Sequence, residues 1–222
     1  MHAGVIFDMD GVIVDSGAAH AASWRAVARK HGIEISDEQF RRTFGRPSRD
    51  IIRIIWGPDV RDDEIEVYDR EKEAAYRERI RGNVPLAPEA RETLATLRDA
   101  GYVLGVATSG PRENVELVLS ETGLAPLFAG VVTGFDVQHG KPAPDCFLLA
   151  AERIGVPPPR CVVVEDAPVG IEAAGAGGMK CVGLTGTHPA DRLRAAGATV
   201  VVPRLGEITP ELVAQLLQDS QQ

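Results

Sequence analysis

The sequence is poor in several things, and each shortage removes a class of function. No apolar run approaches the ~18 residues that would span a bilayer, and the N-terminus enters a charged strand end without the apolar core of a signal peptide. The expectation is a soluble cytoplasmic protein that is not bound to a membrane. Only three cysteines occur, Cys146, Cys161 and Cys181. Their wide spacing fits neither a metal knuckle nor a redox pair, and two of them sit in apolar strand-like runs and read as core residues in a reducing compartment. Basic residues are outnumbered, 24 Lys and Arg against 32 Asp and Glu, for a formal charge of −8. This argues against nucleic acid or an anionic lipid surface as the main partner. An anionic substrate would need a local positive site built for it. Internal repeats and low-complexity segments are also missing. What remains, 222 residues with 44% hydrophobic content, suffices for one substantial core and a smaller second one.

The stretch that organises the chain is Val5-Ile6-Phe7-Asp8-Met9-Asp10-Gly11-Val12-Ile13-Val14-Asp15-Ser16. An apolar run ends in Asp8, and the alternation of an extended chain sends Asp8 and Asp10 to one side while Met9 points away. Two carboxylates so placed repel unless a cation or a proton separates them. The pair therefore reads as a Mg²⁺ site, as a nucleophile beside a general acid/base, or as both. A solvated Asp-Gly turn is the plain alternative.

From Ser16 to about Val84 the signals are helical. His20, Trp24, Val27 and His31 make one stripe ending at Gly32. Ser36-Asp37-Glu38-Gln39 reads as a capping box opening a helix with Phe40 and Phe44, closed by Gly45. Pro47-Ser48-Arg49-Asp50 starts a short helix, and a longer one runs from about Asp62 to Ile80. On the latter, Ile65, Tyr68, Lys72, Tyr76 and Ile80 share a face, so Lys72 lies where an apolar residue belongs. It is either a snorkelling lysine or a cation turned to substrate. From Pro88 onward strands and helices alternate, which predicts βαβ units and a parallel sheet with helices on both faces. The division expected is an α/β core of residues 1–15 and 85–222 with an all-helical insertion, 16–84, leaving from the strand end as a cap.

Each later strand also ends in polar residues. Val106-Ala107 leads into Thr108-Ser109-Gly110, a hydroxyl and an open backbone suited to phosphoryl oxygens. Gly140-Lys141-Pro142-Ala143-Pro144-Asp145 sets an ammonium on a loop stiffened by prolines. Glu165-Asp166 offers hard oxygen ligands. Taken singly these are an ordinary loop, a surface lysine and a helix cap; their common place at C-terminal strand ends favours one site. The glycines of Gly175-Ala176-Gly177-Gly178 follow a helix rather than a strand, which argues against a dinucleotide loop.

With these motifs in order, the chain resembles the haloacid dehalogenase-like superfamily of hydrolases. Asp8-Met9-Asp10-Gly11-Val12, Thr108, Gly140-Lys141-Pro142 with Pro144-Asp145, and Glu165-Asp166 carry the likeness. Asp15-Ser16, His20, Trp24, Gly45, Ser48-Arg49 and Gly170-Ile171 with Ala173-Ala174 place it nearest the β-phosphoglucomutase and sugar-phosphatase branch. It departs at Pro88-Glu89, where relatives often have Pro-Gly, and by an extra residue between Gly45 and Ser48. The resemblance implies a Rossmann-like core with a helical cap, in which Asp8 attacks phosphorus and Asp10 serves as acid and then base. Thr108 and Lys141 would hold the phosphoryl group with Ser109 and Gly110. Asp8, the Asp10 main chain and Asp166 would bind Mg²⁺ with Glu165 behind, and Arg49, Lys72 and His20 would meet substrate. The expected activity is hydrolysis of a small phosphorylated metabolite, a sugar phosphate, by a monomer or homodimer. A phosphosugar mutase and a phospho-aspartate signalling receiver are the alternatives.

Overall fold

The computed structural model describes residues 2–36, 38–40 and 47–218. The expected Phe44 and Gly45 helix end, and the Gly45 motif position, lie outside the described residues. The chain divides into two compact units, Met1–Asp15 with Pro85–Gln222, and Ser16–Val84.

The first unit is a six-stranded sheet in the order β3-β2-β1-β4-β5-β6, with every neighbouring pair parallel. The strands are β1 (Gly4–Phe7), β2 (Val103–Ala107), β3 (Phe128–Val132), β4 (Cys161–Glu165), β5 (Lys180–Leu184) and β6 (Val200–Val202). β1, β4 and β5 contain near-continuous buried apolar runs, as strands covered on both faces must. Helices α4 (Ala90–Asp99), α5 (Arg112–Thr122), α6 (Asp145–Arg153), α7 (Pro168–Ala176), α8 (Ala190–Ala195) and α9 (Pro210–Gln218) alternate with them. One apolar cluster joins Ile6, Val163 and Cys181 of the sheet to Phe147, Ala150, Ile171, Ala174 and Leu193 of α6, α7 and α8. α4 packs on β2 and α9 on β4. All three cysteines are buried free thiols. β1 lies between β2 and β4, where the direction of chain winding reverses; the crevice at the C-terminal ends of such strands is where open α/β sheets bind ligands.

Gly178, with φ of 72°, closes the turn after α7. The glycine run is thus a helix terminus and forms no phosphate loop. Two short segments lead out of the sheet unit and back, bridged at Val14 and Leu86 and tied by Asp15 N to Pro85 O and Ala87 N to Ile13 O.

Among the described residues of the second unit are α1 (Gly17–Lys30), α2 (Ser48–Trp56) and α3 (Asp62–Ile80). Ser36 and Gln39 exchange the two reciprocal bonds of a capping box. Trp24, Ala28, Ile35, Phe40, Ile51, Ile52 and Ile65 form its apolar cluster. Among the described residues no helix is long and apolar enough to cross a membrane.

Candidate active site

The site begins at the end of β1. Asp8 N continues the ladder to Val164 O, and the chain then folds into a turn in which Val12, Ile13 and Val14 all donate to Met9 O. This turn fixes Asp10 beyond Asp8 while burying Met9.

Lys141 reaches into the same place from the loop before α6. Its Nζ donates to Asp8 Oδ1 at 2.6 Å, to Glu165 Oε1 at 2.7 Å and to Ala107 O at 3.4 Å, and stands 4.8 Å from the centre of the Phe147 ring. All three charged side chains are nearly inaccessible. Burial alone would strip the lysine of its proton, but the carboxylates of Asp8 and Glu165 hold it firmly as an ammonium. Glu165 is secured on its other oxygen by Ala167 N at 2.7 Å.

Two glycines exist for these acids. A Cβ on Gly11 would stand 2.0 Å from Asp166 Oδ2, and one on Gly170 would stand 1.8 Å from Glu165 Oε1. Neither residue can carry a side chain without displacing a carboxylate. Gly11 also has φ of 82°, so glycine is required there twice over.

Thr108, Ser109 and Gly110 follow β2. Thr108 is buried, its N continues the ladder to Val132 O, and its Oγ1 accepts from Gly110 N at 3.1 Å. A Cβ placed on Gly110 would fall 3.7 Å from Asp10 Oδ2, so this segment borders the Asp10 carboxylate. Asp8, Asp10, Thr108, Gly110, Lys141, Glu165 and Asp166 are therefore brought together, drawn from the ends of β1, β2 and β4 and the loop before α6; Ser109 is exposed beside them.

The electrostatics are unbalanced. Four carboxyls, those of Asp8, Asp10, Glu165 and Asp166, share one ammonium. Burial, with the charges of Glu165 and Asp10, pushes Asp8 up to about 7 despite Lys141. Burial and the charges of Glu165 and Asp8 hold Asp166 well above the usual carboxylate range, opposed by a hydrogen bond from Thr187. Such a cluster of hard oxygens is suited to a cation. Among the described residues no three His, Cys, Asp or Glu side chains form a ligand group by themselves, so a set drawn from Asp8 and Asp166 would need a further oxygen. Thr187, at the end of β5, escaped the sequence reading. The signal for it was another polar strand end, Thr185-Gly186-Thr187 after Leu184.

The three residues of the helical unit stand differently. Lys72 is buried and paired with Glu73 at 2.6 Å, with its Nζ 5.4 Å and 5.8 Å from the ring centres of Trp24 and Tyr76. His20 stacks on Tyr76 with centroids 4.0 Å apart. Arg49 is half exposed and forms an ion pair with Asp62.

The model of the haloacid dehalogenase-like hydrolase family matches residues 2–178. The chain belongs to this family. It is 35% identical to a validoxylamine A 7'-phosphate phosphatase of Streptomyces hygroscopicus subsp. limoneus, over 94% of this chain and 96% of that one. Identity is 36% to the fructose-1-phosphate phosphatase YqaB of Escherichia coli K12, covering 82% of this chain and 95% of that protein. Among solved structures, a family IA hydrolase of Entamoeba histolytica superposes with a TM-score of 0.89 at 26% identity, covering 98% of this hydrolase and all of that chain. A β-phosphoglucomutase of Clostridium difficile gives 0.84 at 25%, covering 99% and 98%.

Proposed function

We propose that this hydrolase is a Mg²⁺-dependent phosphatase of small phosphorylated sugars, working through an aspartyl-phosphate on Asp8. The observation that carries the reading is the placement of Asp8 on Lys141 beside a second acid, Asp10. In the first half-reaction an Asp8 oxygen forms a bond to phosphorus as the bond to the sugar oxygen breaks, and that oxygen takes the proton of the Asp10 carboxyl. In the second, Asp10, now a carboxylate, takes a proton from water; the water oxygen attacks phosphorus and Asp8 leaves as a carboxylate. Lys141 stays charged throughout and neutralises the group in transfer, while Thr108 and the backbone at Ser109 and Gly110 donate to its oxygens. Asp8, the Asp10 main-chain oxygen and Asp166 would hold Mg²⁺, with Glu165 behind them. When bound, the ion screens the charge of the phosphoryl oxygens.

The relatives supporting this reading are named as phosphatases of phosphorylated carbohydrates or sugar-like alcohols. The mutase alternative rests on structural likeness to β-phosphoglucomutases, and it requires free cations for a second phosphate. Lys72 and Arg49 already face Glu73 and Asp62, which favours hydrolysis. A receiver module has no use for the acid/base at Asp10. The helical unit, residues 16–84, is the cap in this proposal, the part that selects the alcohol.

The test is phosphate release from a panel of phosphorylated sugars and small acids, with and without Mg²⁺. Turnover of several sugar phosphates that vanishes on chelation is expected. Conversion of β-glucose 1-phosphate to glucose 6-phosphate faster than phosphate release would replace the phosphatase by a mutase.

A further inference from the structure

Three segments meet at one point beside the site: the turn after β1, the end of β4, and the segment after β5. A Cβ on Gly11 would stand 2.0 Å from Asp166 Oδ2 and 3.0 Å from Thr187 Oγ1. The Thr187 hydroxyl donates to the Asp166 carboxylate. The backbone of Gly11 and the Thr187 hydroxyl thus both stand against this carboxylate. Thr187 is itself fixed. Two residues before it, Thr185 N donates to Val202 O at 3.0 Å; immediately after it His188 is buried, and α8 opens at Ala190.

From this juxtaposition we infer that Thr187 is a positioning residue, which sets the rotation of the Asp166 carboxylate and so presents its remaining oxygen to a divalent cation. The inference rests on the proposed Mg²⁺ site and adds a partner that holds one of its ligands. A short carboxylate has two equivalent oxygens and a soft terminal torsion. Contact with Gly11 limits where Asp166 can lie, and the donor at Thr187 biases which way its plane turns. Hydrogen-bonded partners of metal-binding side chains act in this manner, and their loss weakens metal binding by ~10- to 100-fold. The valine that would replace Thr187 at nearly equal volume fills the same space but donates nothing.

The experiment is calorimetric titration of the metal-free full-length protein with Mg²⁺ alone, for wild type, Thr187→Val and Thr187→Ser, alongside the Mg²⁺-induced rise in melting temperature. Thr187→Val should raise the Kd for Mg²⁺ by about tenfold or more while melting without metal close to wild type. Thr187→Ser, which restores the hydroxyl, should bind within about threefold of wild type. At saturating Mg²⁺ the KM for a sugar phosphate should be unchanged in both. A Thr187→Val protein that binds Mg²⁺ as tightly as wild type overturns the inference and leaves the metal site standing. Equal weakening in Thr187→Ser and Thr187→Val also overturns it, because the methyl packing would then be the cause. Absence of any Mg²⁺ uptake by wild type at millimolar concentration removes the metal site itself, and the inference with it.

Discussion

Two lysines in this molecule are equally buried, Lys141 in the sheet unit and Lys72 in the helical unit, each with 6% of its side chain exposed. They differ in what surrounds them. Lys72 has Glu73 in contact, the half-buried carboxyl of Asp69 within electrostatic reach and two aromatic rings, so fewer acids crowd its charge. Lys141 bridges Asp8 and Glu165 with Asp10 and Asp166 nearby, so the negative charge around it is in excess. A buried charge that is matched can be a device of packing or recognition. A buried cluster that is left unmatched is costly unless a ligand completes it. The size of the imbalance, rather than burial, distinguishes the proposed catalytic centre from the proposed recognition surface.

Substitutions should separate the two environments by size of effect. Asp8→Asn should reduce phosphate release below detection, since an amide cannot attack phosphorus. Because it also removes one of four crowded carboxyls, its melting temperature at pH 8 without metal should equal or exceed that of wild type. Residual activity of more than about one per cent would undo the nucleophile assignment. Lys141→Ala should lower kcat by ~10²- to 10³-fold on every phosphate ester, the range for losing one donor to the charge in transfer. For Lys72→Ala the expected loss in kcat/KM is about tenfold with sugar phosphates and less with p-nitrophenyl phosphate, as for a charge-assisted contact to the alcohol. Equal losses for Lys72→Ala on both substrates would dissolve the distinction between the two lysines.

The pH dependence of stability sharpens the same contrast. Asp8 is raised from its ordinary 3.8 to about 7 in the folded protein, so the folded state binds its proton more tightly than the unfolded chain does. The associated stability is fully present below about pH 4 and is lost as pH rises through about 7. Metal-free wild type should melt at a lower temperature at pH 8 than at pH 5.5, and Asp8→Asn should lose much of that difference. Mg²⁺ should restore more at pH 8 than at pH 5.5. A flat profile in wild type would mean that the carboxyls are not crowded.

The smallest effect concerns the return into the sheet unit. Glu89 has φ of 63°, a left-handed conformation that costs a residue with a side chain ~1–2 kcal/mol. It is also where the family often has glycine, so the departure noted in the sequence is a strained turn. Its carboxylate accepts from Gly206 N at 3.3 Å, which offsets part of that cost. Glu89→Gly should therefore raise stability by less than ~1 kcal/mol, read from denaturant unfolding, with kcat unchanged.

The alternation of parallel strands and helices was legible because the apolar runs of β1, β4 and β5 and the amphipathic helices between them each bury a face, whereas the strand order was not. α3 agrees with its expected limits, Asp62–Ile80. β3 begins at Phe128, where the preceding 3₁₀ turn at Ala125–Leu127 delivers the chain directly into the sheet. The acids could be read because charged residues at the ends of apolar strands are conspicuous; Lys141 stands well past the end of β3, on the loop before α6, and was legible through its proline-flanked motif. Thr187 was not, because hydroxyls after a strand, here Thr185 and Thr187, are common and only the fold brings one of them to Asp166. The pairing of Lys72 with Glu73 was equally hidden: adjacent residues on a helix do not ordinarily face each other, and it is burial among Trp24 and Tyr76 that turns them together.

The most direct test of the account is acid-quenched rapid mixing of enzyme, Mg²⁺ and a sugar phosphate, followed by mass spectrometry of the peptide that contains Asp8 and Asp10. A transient phosphoryl adduct on Asp8, formed and lost at rates compatible with kcat and missing in Asp8→Asn, is the predicted result. An adduct on another residue, or turnover in Asp8→Asn at the wild-type rate, would contradict it.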